Sequence, residues 1–198
     1  MTFRVFLAFL LTLLPLQVLA QLVQVDYTSP EGAYFRASGV MYSDSICITA
    51  GHVVGFKTDQ QVKIIFAGKV YEGAIVGVNE GSDVAVVRMI RRFKTTPIKI
   101  GVVKKQDRVI MRGLVFGSEA GPTARVVEGK YVHDGLEPLS GELIYLFDGK
   151  PVEGMSGGPI LNSDGHLVSI VSGYTDDYGI GTNTDAINKL LKEAGEIK

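Results

Sequence analysis

The sequence has little of what small exported domains and metalloproteins often depend on. Cys47 is its single cysteine and there are only three histidines, so an intrachain disulfide is excluded and the fold must be held by packing alone. One cysteine and three histidines without close pairs give no zinc spacing. We therefore expect no metal and no cofactor, and we expect Cys47 to be a buried apolar side chain rather than a reactive thiol.

An excess of charge of one sign is also missing. The chain has 20 Lys and Arg against 21 Asp and Glu, a formal net charge of −1. A nucleic-acid-binding protein usually carries a strong basic excess, so no nucleic-acid partner is expected. Apolar residues make up 46% of the chain, enough for one domain to bury a core of its own.

Residues 1–20 have the pattern of a signal peptide. Arg4 supplies a positive start, an apolar run follows to Leu19, and Ala20 offers a small residue for cleavage. Pro15 interrupts the run, which is shorter than the roughly 20 residues of a membrane-spanning helix. We expect a secreted or periplasmic protein, with a membrane attachment only if this segment stays uncleaved.

The remaining sequence predicts short β-strands and no helix-alternating rhythm. The segments are rich in Val, Ile, Tyr and Phe, several alternate polar and apolar residues, and Gly, Asn, Asp, Ser or Pro fill the gaps. The predicted strands are 34–42, 46–50, 61–67, 70–78, 84–90, 108–114, 124–132, 143–147, 159–161, 167–173 and 179–182. Only 185–194 reads as a helix, which Thr184 or Asp185 could cap. A polar gap divides the chain into β-rich halves at about 25–93 and 104–183, as in a sandwich or barrels.

Three motifs that can carry chemistry occur in one order. His52 ends the stretch ITAGH, Asp83 precedes the apolar strand VAVV, and Ser156 lies in GMSGGP. A serine hydroxyl is a poor nucleophile until a neighbouring base takes its proton, and histidine suits that role near neutral pH. A buried carboxylate then fixes the imidazole tautomer. Glycines beside the serine allow a sharp turn and leave N–H groups for an oxyanion, for which Gly154 and Ser156 are the candidates.

The combination resembles the chymotrypsin-like serine peptidases, and within them the bacterial, disulfide-free, high-temperature-requirement type. The resemblance runs from about residue 33 to 187 and implies a triad of His52, Asp83 and Ser156. It also implies an all-β fold of two antiparallel six-stranded barrels with a short C-terminal helix, acting as an endopeptidase on protein or peptide substrates. Met155 stands where many digestive members carry an Asp, so activation by a newly cut N-terminus is not expected.

Substrate contacts follow from the same resemblance. The strand residues Ser169, Ile170 and Val171 resemble the segment that pairs with the substrate backbone, and Lys150 would lie near the base of the specificity pocket. No acidic residue stands there, so a preference for Lys or Arg is not expected. The bulk of Val171 suggests a small or medium apolar substrate side chain.

Two other functions fit parts of the sequence. Gly154-x-Ser156-x-Gly158 matches the nucleophile elbow of α/β-hydrolases, but that motif requires a helix after the serine and a parallel βαβ pattern. A catalytically inactive or partner-activated protease fold that serves as a binding protein has the same motifs as an active one, and this alternative stays open at the level of sequence. The sequence gives no oligomeric state.

Overall fold

The computed structural model describes residues 21–117 and 121–197. The predicted leader at 1–20 lies outside the described residues. Within them, no helix is both long and apolar enough to cross a membrane.

The first half of the chain forms a closed antiparallel barrel of six strands. Its order is β1-β2-β3-β6-β5-β4, and β4 closes the barrel on β1. A single turn of 3-10 helix, His52–Val54, follows β3. The strands are β1 (Leu22–Thr28), β2 (Tyr34–Met41), β3 (Ile46–Thr49), β4 (Gln61–Phe66), β5 (Lys69–Asn79) and β6 (Val84–Met89).

The second half forms another closed barrel of the same kind. Its order is β7-β8-β9-β12-β11-β10, with β10 pairing back to β7. The strands are β7 (Arg108–Val115), β8 (Thr123–Leu136), β9 (Leu143–Phe147), β10 (Pro159–Asn162), β11 (Leu167–Tyr174) and β12 (Gly179–Thr182). The fold is therefore all-β with two six-stranded barrels, as predicted.

Alternation along the strands explains the two barrel interiors. In β1, Val23, Val25 and Tyr27 are buried in the first core, since side chains two residues apart share a face. In β7, Val109 and Met111 are buried in the second core by the same rule. Each buried aliphatic side chain of this size contributes roughly 1.5–3 kcal/mol to folding.

A third apolar layer joins the barrels to the C-terminal helix. Helix α1 (Thr184–Glu193) packs Ile187, Leu190 and Leu191 against this layer. Val40 and Val86 enter it from the first barrel, and other members come from β10 and β11. The helix begins one residue earlier than predicted, and its cap is Asn183, whose Oδ1 accepts from the Ala186 N–H at 2.9 Å. Asn183 therefore precedes both Thr184 and Asp185, the two residues predicted to cap the helix.

Arg112 of β7 is an exception to the apolar interior. Its side chain is only 4% exposed, and Nε has no hydrogen-bond partner among the described residues. Burial lowers the pKa of this guanidinium, because a low-dielectric environment disfavours the charged form. A buried N–H donor without a partner destabilises the folded state, because it has lost its water and gained no hydrogen bond.

Replacing Arg112 with Met should therefore stabilise the protein. The substitution keeps a long flexible side chain and removes the unpaired Nε–H, so we expect the free energy of unfolding to rise by about 1–3 kcal/mol. Urea unfolding followed by circular dichroism measures this change. Arg108→Met, at an exposed position of the same strand, is the matched control and should change little. A clear loss of stability in Arg112→Met would show that the guanidinium is stabilised by partners that this account leaves out.

Candidate active site

The structure brings His52 and Asp83 together from two segments of the first barrel. His52 begins the 3-10 turn after β3, and Asp83 immediately precedes β6, which pairs with β3. His52 Nδ1 lies 2.8 Å from Asp83 Oδ2. The His52 backbone N–H donates to Asp83 Oδ1, also at 2.8 Å. One carboxylate oxygen thus holds the backbone of His52 and the other holds its ring.

Asp83 is held in an unusual backbone conformation by both barrels. Its φ is +51°, in the left-handed region that Asp and Asn tolerate better than most residues. From the second barrel, the Ser172 hydroxyl donates to Asp83 Oδ2. The Thr182 hydroxyl lies 2.8 Å from the Ser82 carbonyl oxygen and 3.3 Å from that of Asp83. The carboxylate side chain is 18% exposed and that of His52 43%, so the imidazole is open to solvent and the carboxylate largely covered.

Ser156 lies on a tight glycine loop that is fastened to the first barrel. The Ser38 N–H of β2 donates to the Ser156 carbonyl oxygen at 2.9 Å. The next residue, Gly157, has φ +82°, and a Cβ there would overlap the Ser38 carbonyl oxygen and Thr49 Oγ1. Since Thr49 ends the strand that leads to His52, the loop of Ser156 packs directly on the segment that carries the histidine.

The Ser156 hydroxyl makes no hydrogen bond with His52 in the part of the chain that the structure describes. Ser156 is half-buried and the imidazole is exposed. Nucleophile–base hydrogen bonds are often long in a ligand-free site and shorten when substrate binds. The arrangement supplies a base already bound to its carboxylate and a serine on the adjoining loop.

The two candidate oxyanion donors are found on the same loop. Gly154 has φ +90°, and its carbonyl oxygen accepts from the Ser38 hydroxyl at 2.7 Å. The N–H groups of Met155 and Gly158 donate within the loop's turns, at 3.1 and 2.9 Å. Neither the Gly154 nor the Ser156 N–H donates to any of the described residues, so both amides are available to a ligand.

The residues predicted to bind substrate through β11 are placed in its buried part. Ser169, Ile170 and Val171 are at most 1% exposed. The Ser169 hydroxyl donates to the Thr182 carbonyl oxygen at 2.6 Å. The backbone of Val171 exchanges hydrogen bonds with Gly157 and Gly158, both at 2.8 Å. Val171 therefore holds the serine loop, whereas Ser169 and Ile170 pair with β10 inside the barrel.

The next part of β11 is open along one edge. Gly173 and Tyr174 pair with Ile180 and Gly179 of β12, whereas the pairing with β10 ends at Ile170. Tyr174 is 59% exposed. Such an edge presents backbone groups to which an extended peptide can add as a strand.

Lys150 is exposed on the segment between β9 and the serine loop. Its neighbours Gly149 and Pro151 pack against Gly179 of β12. Lys150 thus lies beside β12, the strand that pairs with Gly173 and Tyr174 of β11.

Two serines that hydrogen-bond to the candidate site were missing from the sequence analysis. The Ser172 hydroxyl donates to Asp83 Oδ2. Ser38 binds the serine loop twice: its N–H donates to the Ser156 carbonyl oxygen and its hydroxyl to that of Gly154. Ser172 could have been found as the first polar residue after the buried run 167–171, at the end of a strand. Ser38 lies between two small residues of β2 and carries no comparable local signal.

Other candidate sites do not share residues with this one. A cleft of about 890 Å³ is lined by Asn162, His166, Asp185 and other residues of the linker, a hairpin and α1, none of them from the three motifs. Cys47 is fully buried, and burial raises the pKa of its thiol to about 12. The thiol is therefore protonated at neutral pH and unreactive.

Comparison with known proteins gives a family and several relatives. Residues 37–170 match the family model of the trypsin-like peptidase domain. A protein of Chlamydia pneumoniae named "Probable periplasmic serine endoprotease DegP-like" is 30% identical over 154 residues, which cover 74% of this chain and 31% of the relative. The chain thus spans about a third of that relative's length.

Solved structures with the same fold include two bacterial proteases. The active form of the Rv3671c protease from M. tuberculosis superposes with a TM-score of 0.74 at 18% identity, over 90% of this chain and 82% of that one. The HtrA-type protease AlgW, solved with a decapeptide, gives a TM-score of 0.70 at 17% identity, over 89% and 65% of the two chains. Such low identities show the fold alone. The family match over most of the chain shows that this protein belongs to the trypsin-like peptidase family.

Proposed function

We propose that this chain is an exported serine endopeptidase that uses Ser156, His52 and Asp83. The observation that carries the proposal is the placement of the Ser156 loop on the strand leading to His52, whose ring is bound by Asp83. Family membership supports peptide-bond hydrolysis as the reaction.

The acylation step follows from these contacts. Ser156 Oγ attacks the scissile carbonyl carbon while His52 Nε2 takes the hydroxyl proton. Asp83 accepts from Nδ1–H, which leaves Nε2 as the unprotonated nitrogen and stabilises the imidazolium that forms. The Gly154 and Ser156 N–H groups hold the negative oxygen of the tetrahedral intermediate.

Release of the products reverses these proton movements. When the tetrahedral intermediate collapses, the C–N bond breaks and His52 gives its proton to the leaving amine. A water molecule then attacks the acyl-enzyme, with His52 again as the base, and Ser156 leaves with its proton restored. No cofactor takes part in these steps.

Substrate binding is proposed along the open edge of β11. The backbone of Ser172, Gly173 and Tyr174 has no partner strand on the β10 side and can pair there with an extended peptide, whereas Ser169, Ile170 and Val171 form the buried part of the same strand. Lys150 is proposed at the rim of the specificity pocket, where the lack of a carboxylate disfavours basic substrate side chains.

Export is proposed from the leader pattern at 1–20. The relative from Chlamydia pneumoniae is named as periplasmic, which agrees with a secreted or periplasmic location here. Unfolded proteins and peptides are the proposed substrates.

The proposal is tested by Ser156-dependent cleavage of an unfolded protein. Purified wild type should degrade fluorescein-labelled casein, and Ser156→Ala should reduce the rate to background with an unchanged circular dichroism spectrum, because the nucleophile is gone. Cleavage that persists in Ser156→Ala would overturn the mechanism. A folded wild type that never cleaves would instead favour a binding protein with a protease fold.

A further inference from the structure

A loop of the second barrel is hydrogen-bonded to the turn that carries Asp83. The loop lies between β8 and β9, and its tip contacts the turn from Glu80 to Asp83 in the first barrel. The Ser140 hydroxyl donates to the Gly81 carbonyl oxygen at 3.1 Å. One residue further on, Ser82 donates its hydroxyl to Glu142 Oε2. Two successive residues of the turn are therefore held by the opposite barrel.

The hydrogen bond between Ser82 and Glu142 joins a buried hydroxyl donor to a carboxylate acceptor on a solvent-exposed residue. Ser82 is 0% exposed, so its hydroxyl depends on a protein partner, and a buried hydroxyl left unpaired is costly. Glu142 is exposed and can therefore be replaced without opening a core cavity. The carboxylate is the only side-chain acceptor that Ser82 Oγ has among the described residues.

Gly81 leaves room for this carboxylate. A Cβ at Gly81 would lie 2.8 Å from Glu142 Cδ and 2.9 Å from both Cγ and Oε1. Since the nearest atoms all belong to one flexible side chain, the substitution Gly81→Ala should move Glu142 and little else.

The turn held in this way leads directly into Asp83, the proposed triad carboxylate. Asp83 follows Ser82 directly and has a left-handed φ of +51°, a conformation that persists only when its surroundings hold it. The Ser82 N–H donates to Asn79 Oδ1 at 2.9 Å. Glu142 fixes the side chain of Ser82 at the same point, so the residue before Asp83 is held on both sides.

We infer that Glu142 is a positioning residue, which holds the Ser82–Asp83 turn so that Asp83 presents its carboxylate to His52. The inference rests on the proposed function. It links the loop between β8 and β9 to catalysis, because Glu142 of that loop binds Ser82, the residue directly before Asp83.

The test compares Glu142→Ala, Glu142→Gln and Gly81→Ala with wild type. Glu142→Ala should slow reaction with a fluorophosphonate probe and lower kcat on labelled casein by about tenfold or more, since one hydrogen bond to a charged group is lost. KM should stay unchanged because Glu142 does not touch the substrate. Glu142→Gln retains an acceptor oxygen and should restore most of the rate.

The glycine variant checks the same contact from the other side. Gly81→Ala should slow the reaction as Glu142→Ala does, and it should have no further effect when combined with Glu142→Ala. Glu128→Ala, an exposed carboxylate of β8, is the matched control and should react like wild type. Equal rates for Glu142→Ala and wild type, or no rescue by Gln, would overturn the inference.

A readout that does not need activity separates this inference from the proposed function. The low-field proton resonance of the His52 Nδ1–H···Asp83 hydrogen bond, assigned with His52→Ala, should be present in wild type and lost or broadened in Glu142→Ala. If wild type shows no Ser156-dependent labelling, the proposed function fails, and the resonance alone then decides the role of Glu142. An unchanged resonance in Glu142→Ala would contradict that role.

Discussion

Replacing Asp83 with Asn should lower kcat by about 10⁴-fold without unfolding the protein. Two features of Asp83 make the variant a clean one. Asn is nearly isosteric with Asp, and it also tolerates the left-handed backbone that Asp83 adopts at φ +51°. The contacts that change are therefore those of Oδ2, with His52 Nδ1 and with the Ser172 hydroxyl.

The large effect follows from the way the carboxylate is engaged. Asp83 Oδ1 accepts from the His52 backbone N–H, and Oδ2 faces His52 Nδ1 and the Ser172 hydroxyl. In Asp83→Asn the carbonyl oxygen stays with the backbone donor, which places the NH₂ group against Nδ1. Nδ1 then becomes an acceptor and Nε2 carries the proton, so the base cannot take the proton of Ser156.

The measurement is the initial rate of casein cleavage with the unfolding midpoint recorded in parallel. Asp59→Asn is the matched control, because Asp59 is exposed and has a similar φ of +60°. It should retain full activity. If Asp83→Asn keeps more than about a tenth of the wild-type rate, the tautomer argument is wrong for this site.

Replacing Gly157 with Ala should both destabilise the fold and abolish activity. A Cβ at Gly157 would overlap the Ser38 carbonyl oxygen and Thr49 Oγ1, and the φ of +82° adds strain for any residue with a side chain. Overpacking costs about 1–3 kcal/mol and the left-handed backbone about 1–2 kcal/mol. We expect the free energy of unfolding to fall by about 3 kcal/mol, the sum of moderate values for both.

Gly32→Ala separates the two contributions. Gly32 has a similar φ of +89° but nothing within 4 Å of its added Cβ, so that variant measures backbone strain alone. The difference between the two variants in urea unfolding gives the cost of pushing the serine loop away from β2 and β3. If Gly157→Ala costs no more than Gly32→Ala, the serine loop does not pack on the first barrel as described.

Much of the fold could be predicted because its signals are local. Alternating apolar residues in strands such as β4 and β7 show which face is buried, and turn residues separate the strands. The sequence analysis did not predict β1, although Val23, Val25 and Tyr27 alternate with polar residues. The predicted helix was shifted because several neighbouring polar residues could cap it, and only the structure shows that Asn183 accepts the bond.

The support of the site was much harder to predict than its chemistry. His52, Asp83 and Ser156 lie in motifs that can be recognised one at a time. Ser172 and Asp83 are 89 residues apart in the chain, and Ser82 and Glu142 are 60 apart. Neither contact leaves a local pattern, because each depends on how the two barrels are joined.

The position of the open edge of β11 depends on strand register. Ser169, Ile170 and Val171 belong to β11, but neighbouring strands and the serine loop occupy their backbone groups. The open edge begins only after Val171, where the bonds to β10 and to the serine loop end. A sequence pattern does not show where one strand of a barrel extends beyond its neighbour. The open segment at Ser172–Tyr174 therefore could not be located from the sequence.

The most direct test of this account is labelling of the purified protein with a fluorophosphonate probe, which reacts with an activated serine. Wild type should be labelled stoichiometrically at Ser156, as mapped by mass spectrometry of the labelled peptide. Ser156→Ala and His52→Ala should remain unlabelled while folded, because one lacks the nucleophile and the other its base. Labelling at another residue, or none in a well-folded wild type, would contradict the claim that these residues form a working catalytic site.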